Sequence, residues 1–335
     1  MRVLFASLAT VGHAFPLIPV AVAAQRAGCE VHFAAGEAVH GVLGAHGVRA
    51  FRPADCFSEI YAEDIEEGLR RVRPDLVVHE WGVPGVAVAA HRHGIPGVWH
   101  GFGRYFPDGI GLELPTRIPG LPGLPHIDIC PPSLQDKAFL EAERIALRPM
   151  PYSEPGGRQS AADIPECVSL IYLTLGSVFA TPELLTTAIN GLAHLDAHIV
   201  VATGRLDPRE LGPLPGNVSV RAWVPQGEVI RRAELVVHHG GSGTMLDALN
   251  FGVPQLVLPQ GADQFANTIA LEAVGAGIGL MSGDVEAGTI ADCAARLLPH
   301  TRNPYRDASE AIAAEIARMP GPDEVVSRLR EVAGR

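Results

Sequence analysis

Short apolar runs alternate with amphipathic stretches along most of the chain. Residues 2–8 (RVLFASL) form a run rich in branched and aromatic side chains, the mark of a buried strand. A helix follows, with Pro16 in its first turn and Gly28 just past its end. EVHFAA (30–35) predicts a second strand, then a helix to about residue 47 and a strand at VRAF (48–51). A charged helix near 59–72, a strand at DLVVHE (75–80), another helix and a strand ending at GIPGVWH (94–100) complete the first half. Strands alternating with helices imply a parallel, doubly wound sheet with right-handed crossovers.

The rhythm stops between about 105 and 165. PTRIPGLPGLP, CPPS and PMPYSEPGG are too dense in Pro and Gly for long regular elements. This stretch reads as an inter-domain connection carrying one helix at 133–145. Alternation then resumes, with strands at 168–176, 198–203, 218–224, 234–239 and 255–259. Helices are expected at 182–194, 226–232, 242–250 and 264–274. The expected fold class is α/β, two Rossmann-like doubly wound domains whose carboxyl ends face across a ligand-binding cleft. The expected boundaries are 1–150, ending in the Pro/Gly-rich linker, and 151–320. A C-terminal helix at 321–335 would pack back on the first domain.

At 335 residues the length suits two domains, and 47% hydrophobic residues can fill two cores. The net charge of −11 opposes nucleic-acid binding, which needs a basic stripe. Five scattered cysteines (Cys29, Cys56, Cys130, Cys167 and Cys293) form no CxxC pair, and suggest neither a zinc cage nor a disulfide framework. The first apolar run is too short for a membrane span, so no stable membrane insertion is expected and a reducing cytoplasm is the default compartment.

The strongest local signal is VVHHGGSGTMLDAL (236–249). An apolar strand runs into Gly240, Gly241 and Gly243, and a helix starts near Ser242 to Thr244. Such a start offers free N–H groups and the positive end of the helix dipole to an anion. His239, Ser242 and Thr244 add donors, while the absence of GKT/GKS or GxGxxG separates this cradle from the Walker and dinucleotide loops. Upstream, RAWVPQ places Trp223 and Val224 at a strand end, where an indole can line or stack on a nucleobase. Downstream, GVPQLVLPQGADQ ends in Asp263 and Gln264, which can grip vicinal sugar hydroxyls; Asp263 can equally serve as a helix N-cap. In the first half, Gly12–His13 precede Pro16 in the loop after strand 2–8. An imidazole there can take a hydroxyl proton near neutral pH.

The order W-x-P-Q, H-H-G-G-x-G-T, G-V-P-Q-L-V-x-P and D-Q across residues 223–264, with G-H-x-x-P near the N-terminus, resembles family 1 glycosyltransferases of the GT-B fold. It looks closest to the actinobacterial natural-product type that decorates antibiotics, enediynes and macrolides in specialised metabolism. TLGS (174–177) is similar to the family's first C-terminal strand and loop, which implies that Gly176 and Ser177 face a diphosphate. The resemblance implies that His239, Gly241, Ser242, Gly243 and Thr244 bind that diphosphate. Trp223 and Val224 would lie at the base, and Asp263 and Gln264 at the sugar. His13 would be the general base of an inverting transfer from a dTDP-sugar, favoured over a UDP-sugar, to a small hydrophobic acceptor.

The dTDP-sugar is then a co-substrate, with no cofactor and no metal, and no D-x-D motif is present. Glu80 and His100, each ending a strand, are acceptor-side candidates. A homodimer is compatible with this reading. One departure from the family pattern is the short connection PADCFSEIYAEDIEEG between the third and fourth N-terminal strands, where relatives carry acceptor-wrapping helices. Two rival readings keep the fold: a nucleotide-sugar epimerase of GT-B type, and a non-catalytic activator of a glycosyltransferase. The intact His13 loop and glycine-rich cradle oppose both.

Overall fold

The computed structural model describes residues 1–53, 60–106, 123–151, 169–176, 180–298 and 303–334. The chain divides into two compact units, Met1–Met150 with Arg318–Arg335, and Pro151–Ala317.

The first unit runs β1 (Arg2–Ala6), α1 (Val11–Ala14), α2 (Ile18–Arg26), β2 (Glu30–Ala34), α3 (His40–Ala45), β3 (Arg49–Phe51), α4 (Ala62–Val72), β4 (Leu76–Glu80), α5 (Pro84–Arg92) and β5 (Gly97–His100). Two short strands, β6 (His126–Asp128) and β7 (Arg144–Ala146), extend the sheet. The strand order is β3-β2-β1-β4-β5-β6-β7, all parallel. Because helices cover both faces, β1 and β4 are buried on both sides, and β4 stays apolar until its last two residues, His79 and Glu80. Leu4, Ala6 and Val77 pack beneath Ile65 of α4 and Val86 of α5.

The expected helix at 133–145 is replaced by one 3-10 turn, Phe139–Glu141, between β6 and β7. Side chains there take the backbone amides a helix would use. Asp136 Oδ1 accepts from the amides of Ala138 and Phe139, and Gln135 Oε1 from those of Tyr105 and Asp136. Residues 126–146 therefore belong to the first sheet, not to a connection between domains.

The second unit runs β8 (Leu170–Thr174), α6 (Pro182–Leu192), β9 (His198–Ala202), β10 (Val218–Arg221), α7 (Gln226–Arg232), β11 (Leu235–His238), α8 (Ser242–Asn250), β12 (Gln255–Val257), α9 (Gln264–Ala273), β13 (Gly277–Gly279), α10 (Ala287–Leu297) and α11 (Pro304–Ala317). Its order is β10-β9-β8-β11-β12-β13, again parallel. Side-chain alternation splits its core into two layers. Ile171, Leu173, Leu235 and Val237 face α6 and α10, while Leu170, Tyr172 and Val236 face α7 and α8.

The last helix, α12 (Pro322–Ala333), packs on α2 within the first unit. Arg26 pairs with Asp323 at 2.9 Å, and Arg330 donates to the carbonyl of Ala27. The Arg26–Asp323 pair is exposed and adds little; Val325, Val326 and Leu329, all buried, hold the helix.

Candidate active site

Each sheet reverses its strand order once, between β1 and β4 in the first unit and between β8 and β11 in the second. In doubly wound sheets the loops leaving such a pair diverge and open a crevice at the carboxyl ends. Of the sequence-predicted residues, His13 and Glu80 lie at the first of these points, and Gly176, His239 and Gly241 at the second.

In the first unit, His13 lies in α1, directly after β1, and Glu80 ends β4. His13 Nδ1 is 3.2 Å from Glu80 Oε2, in an arrangement bent away from a straight hydrogen bond. The His13 side chain keeps 29% of its surface exposed, whereas Glu80 is fully buried. Two backbone amides anchor the carboxylate: Leu8 N donates to Oε1 at 3.2 Å, and Gly82 N donates to Oε2. A Cβ at position 82 would come within 2.8 Å of Oε1 and 3.1 Å of Oε2, so only glycine brings its amide this close. The two amides give the buried carboxylate the hydrogen bonds that burial denies it from water, and hold it beside the ring. That fixes the imidazole as well.

Glu80 is thus not the open acceptor-side residue its strand-end position suggested; it is the carboxylate behind His13. His100 is also displaced from its expected role. It is fully buried, donates from Nδ1 to the Gly101 carbonyl at 2.7 Å, and burial lowers its pKa to about 4. His79 points to the opposite face of β4 from Glu80 and packs edge-on against Trp99, 4.2 Å between ring centroids; burial lowers its pKa to about 3.

An aromatic wall stands beside His13. Phe102, in the loop after β5, is 4.6 Å from the imidazole with the rings inclined at 52°. Trp81 and Phe106 brace it from behind at 5.5 and 6.1 Å. Sequence reading missed this wall, since a lone Phe after a strand carries no periodic signal.

In the second unit, β11 ends in two histidines that strand alternation sends different ways. His238 is fully buried: its Nε2 donates to Gln255 Oε1 at 2.8 Å, and its Nδ1 accepts from the Gly240 amide at 3.1 Å. That pair fixes one neutral tautomer, and burial takes the pKa down to about 3. His238 braces the turn.

His239 lies at the switch point, with its ring in a slot made by two glycines. A Cβ on Gly176 would meet the ring at 2.8 Å, and one on Gly241 at 2.6 Å. Gly176 also has a φ of +73°, which L side chains resist. His239 Nδ1 is buried and meets no hydrogen-bond partner among the described residues. Burial lowers its pKa, opposed by the charge of Asp263. Ser177 lies outside the described residues.

Helix α8 begins at Ser242, with Gly241 at its N-cap in extended backbone and no capping side chain, so its first amides are not taken by a cap. Gly243 is exposed and has open space at its Cα. Ser242 Oγ donates to Asp263 Oδ2 at 2.9 Å, and Thr244 Oγ1 makes a long contact of 3.5 Å to Gln226 Oε1. Asp263 holds the N-cap position of α9 but makes no capping bond; it accepts from Ser242 and, at 2.8 Å, from Asn267 Nδ2. Asn267 also donates to the Gly240 carbonyl at 2.9 Å, which ties α9 to the glycine turn.

Gln264 is buried and spends Oε1 on the amides of Gln260 and Gly261, so it shapes the loop more than it presents a polar group. Ala262, between them, carries a positive φ of 53°, local strain beside Asp263. Trp223 is 51% exposed, which removes it from the core, while Val224 packs on the layer under α7. Gln226 links these parts: its Nε2 donates to Asp247 Oδ2 at 2.7 Å. Burial raises the Asp247 pKa to about 7. Among the described residues no group of three or more His, Cys, Asp and Glu is placed to hold a metal ion, and no helix is long and apolar enough to cross a membrane.

Two glycine- or carboxylate-framed histidines at the switch points of two Rossmann-like sheets define a GT-B glycosyltransferase. Comparison with known proteins agrees. Residues 186–332 match the family described as erythromycin biosynthesis protein CIII-like, C-terminal domain. The L-demethylnoviosyl transferase of Streptomyces niveus is 30% identical, covering 98% of this chain and 97% of its own. The elloramycin glycosyltransferase ElmGT of Streptomyces olivaceus is 33% identical over 81% of this chain and 72% of its own. Among solved structures, the spinosyn rhamnosyltransferase SpnG complexed with thymidine diphosphate superposes with a TM-score of 0.81, 26% identity and coverage of 98% and 100%. The chain belongs to the glycosyltransferases of antibiotic biosynthesis.

Proposed function

We propose that the enzyme moves a deoxysugar, with inversion, from a dTDP-sugar to a hydroxyl of a small apolar natural product. The observation that carries this reading is the buried Glu80 carboxylate 3.2 Å from His13 Nδ1. Glu80 orients the ring and stabilises the imidazolium that forms when His13 Nε2 takes the acceptor proton. The acceptor oxygen bonds to the anomeric carbon as the bond to the diphosphate breaks, and that electron pair leaves on the nucleotide. Glu80 is a positioning residue; His13 is the base.

The leaving diphosphate would be held by the free amides at the start of α8, by Gly241 and Gly243, by Thr244 and by a ring nitrogen of His239. Ser177 of the β8 loop would join them. Trp223, exposed, would stack on the base, with Val224 beside it. Asp263 and Gln264 would stand nearest the sugar, Asp263 trading its Ser242 contact for a sugar hydroxyl. The thymidine preference is supported by the relative solved with thymidine diphosphate.

Calorimetric titration with dTDP and UDP, with and without EDTA, tests the donor half. Tight dTDP binding that survives EDTA and exceeds UDP binding is the expected result. His13→Ala tests the catalytic half: turnover should fall by about 10²–10⁴ with dTDP affinity unchanged. A near-normal rate would remove His13 from the role of base.

A further inference from the structure

We propose that the acceptor hydroxyl is phenolic and that Phe102 selects it by stacking on the aromatic ring that carries it; the proposal rests on His13 being the base. Phe102 is the side chain at van der Waals distance from the imidazole on the side of the β5 loop, 4.6 Å between centroids. It remains partly exposed, as His13 does, and the two rings touch. Its position is fixed. Trp81, fully buried, meets it edge-on at 64°, and Phe106 backs it. Gly101 holds the loop down on the indole, where a Cβ would lie 2.7 Å from Trp81 Cζ2.

A hydroxyl within about 3 Å of His13 brings its own carbon skeleton alongside Phe102. If that skeleton is an aromatic ring lying on the Phe102 side of the imidazole, the two rings can pair at the roughly 4.5–7 Å over which offset or edge-to-face arrangements attract. A saturated skeleton gains only area burial there. Proton chemistry points the same way: a phenol, with a pKa near ~10, lies far closer to an imidazole near ~6.5 than an aliphatic alcohol does.

Equilibrium binding of 2-naphthol and of its saturated counterpart decahydro-2-naphthol, in the presence of dTDP, separates these alternatives without requiring transfer. Wild-type enzyme should bind 2-naphthol about tenfold more tightly. Phe102→Leu, of similar apolar volume, should remove most of that preference by weakening 2-naphthol alone, and Phe102→Tyr should restore it, with unchanged melting temperatures. Equal binding of the two compounds, binding of neither, or equal weakening of both in Phe102→Leu would overturn the proposal. Failure of His13 as base would appear separately, as retained transfer by His13→Ala.

Discussion

Nδ1 of His13 and Oε2 of Glu80 stand 3.2 Å apart, one partly exposed and one sealed from water. The carboxylate reaches His13 because β1 and β4 are adjacent parallel strands whose ends coincide, Ala6 lying in register with His79. It is held there by amides of Leu8 and Gly82.

Glu80→Gln follows directly. The amide would keep one acceptor oxygen but turn an NH2 toward one of the two backbone N–H donors, and it could not stabilise an imidazolium. We expect kcat to fall by about 10²–10³, with dTDP affinity within twofold of wild type. Steady-state kinetics across pH, beside a nucleotide titration, checks this. An unchanged kcat with only a lower melting temperature would reduce Glu80 to a structural part.

The slot around His239 predicts that a glycine substitution copies a histidine deletion. Gly176→Ala must displace the imidazole and strain a left-handed backbone; His239→Ala removes the imidazole. Each should weaken dTDP binding by on the order of 1–3 kcal/mol. Since both act through the same contact, the double variant should lose little more than either alone. Additive losses in calorimetry would separate the two positions.

Acid should destabilise the protein through its buried histidines. His79, His100 and His126 in the first unit, and His238 in the second, titrate at about 3, 4, 4 and 3 when folded because burial disfavours the charged ring. Unfolded, each takes a proton near ~6.5. The unfolded chain therefore binds more protons between those values, and stability present above pH 6.5 is lost as pH falls toward 4. The loss is on the order of 1 kcal/mol per histidine per pH unit, partly offset by Asp128 and Asp247, whose raised pKa values act in the opposite direction. Urea melts at pH 7.5 and 5.5 measure it.

Asp247 gives the reverse dependence. Its folded pKa near 7 lies above the unfolded carboxylate value, so its contribution is present below pH 4 and lost as pH climbs through 7. Asp247→Asn keeps an acceptor for Gln226 Nε2 and has nothing to ionise. It should be more stable than wild type at pH 8, by about 1 kcal/mol or more, and indistinguishable at pH 4. Equal melting curves at pH 8 would mean that water already solvates this carboxylate.

The alternating apolar runs determined two parallel sheets, because strands covered by helices on both faces have no polar face to show. Glycines before α8 marked a helix start with no capping side chain, because bare amides need backbone without side chains. His13, His239 and Trp223 were legible for the same reason: each stands at a strand end beside a turn.

What the sequence left open were contacts between strands that only the sheet brings together. Glu80 and His100 end neighbouring strands in register, yet one faces His13 and the other is sealed in the core. His238 and His239 are adjacent in sequence but sent to a brace and a site by the two-residue period of β11. The Pro-rich stretch hid β6 and β7, since three-residue strands take their hydrogen bonds from a sheet already formed and leave no periodicity of their own. Local pattern determined which residues could do chemistry; strand order, register and burial decided which of them meet.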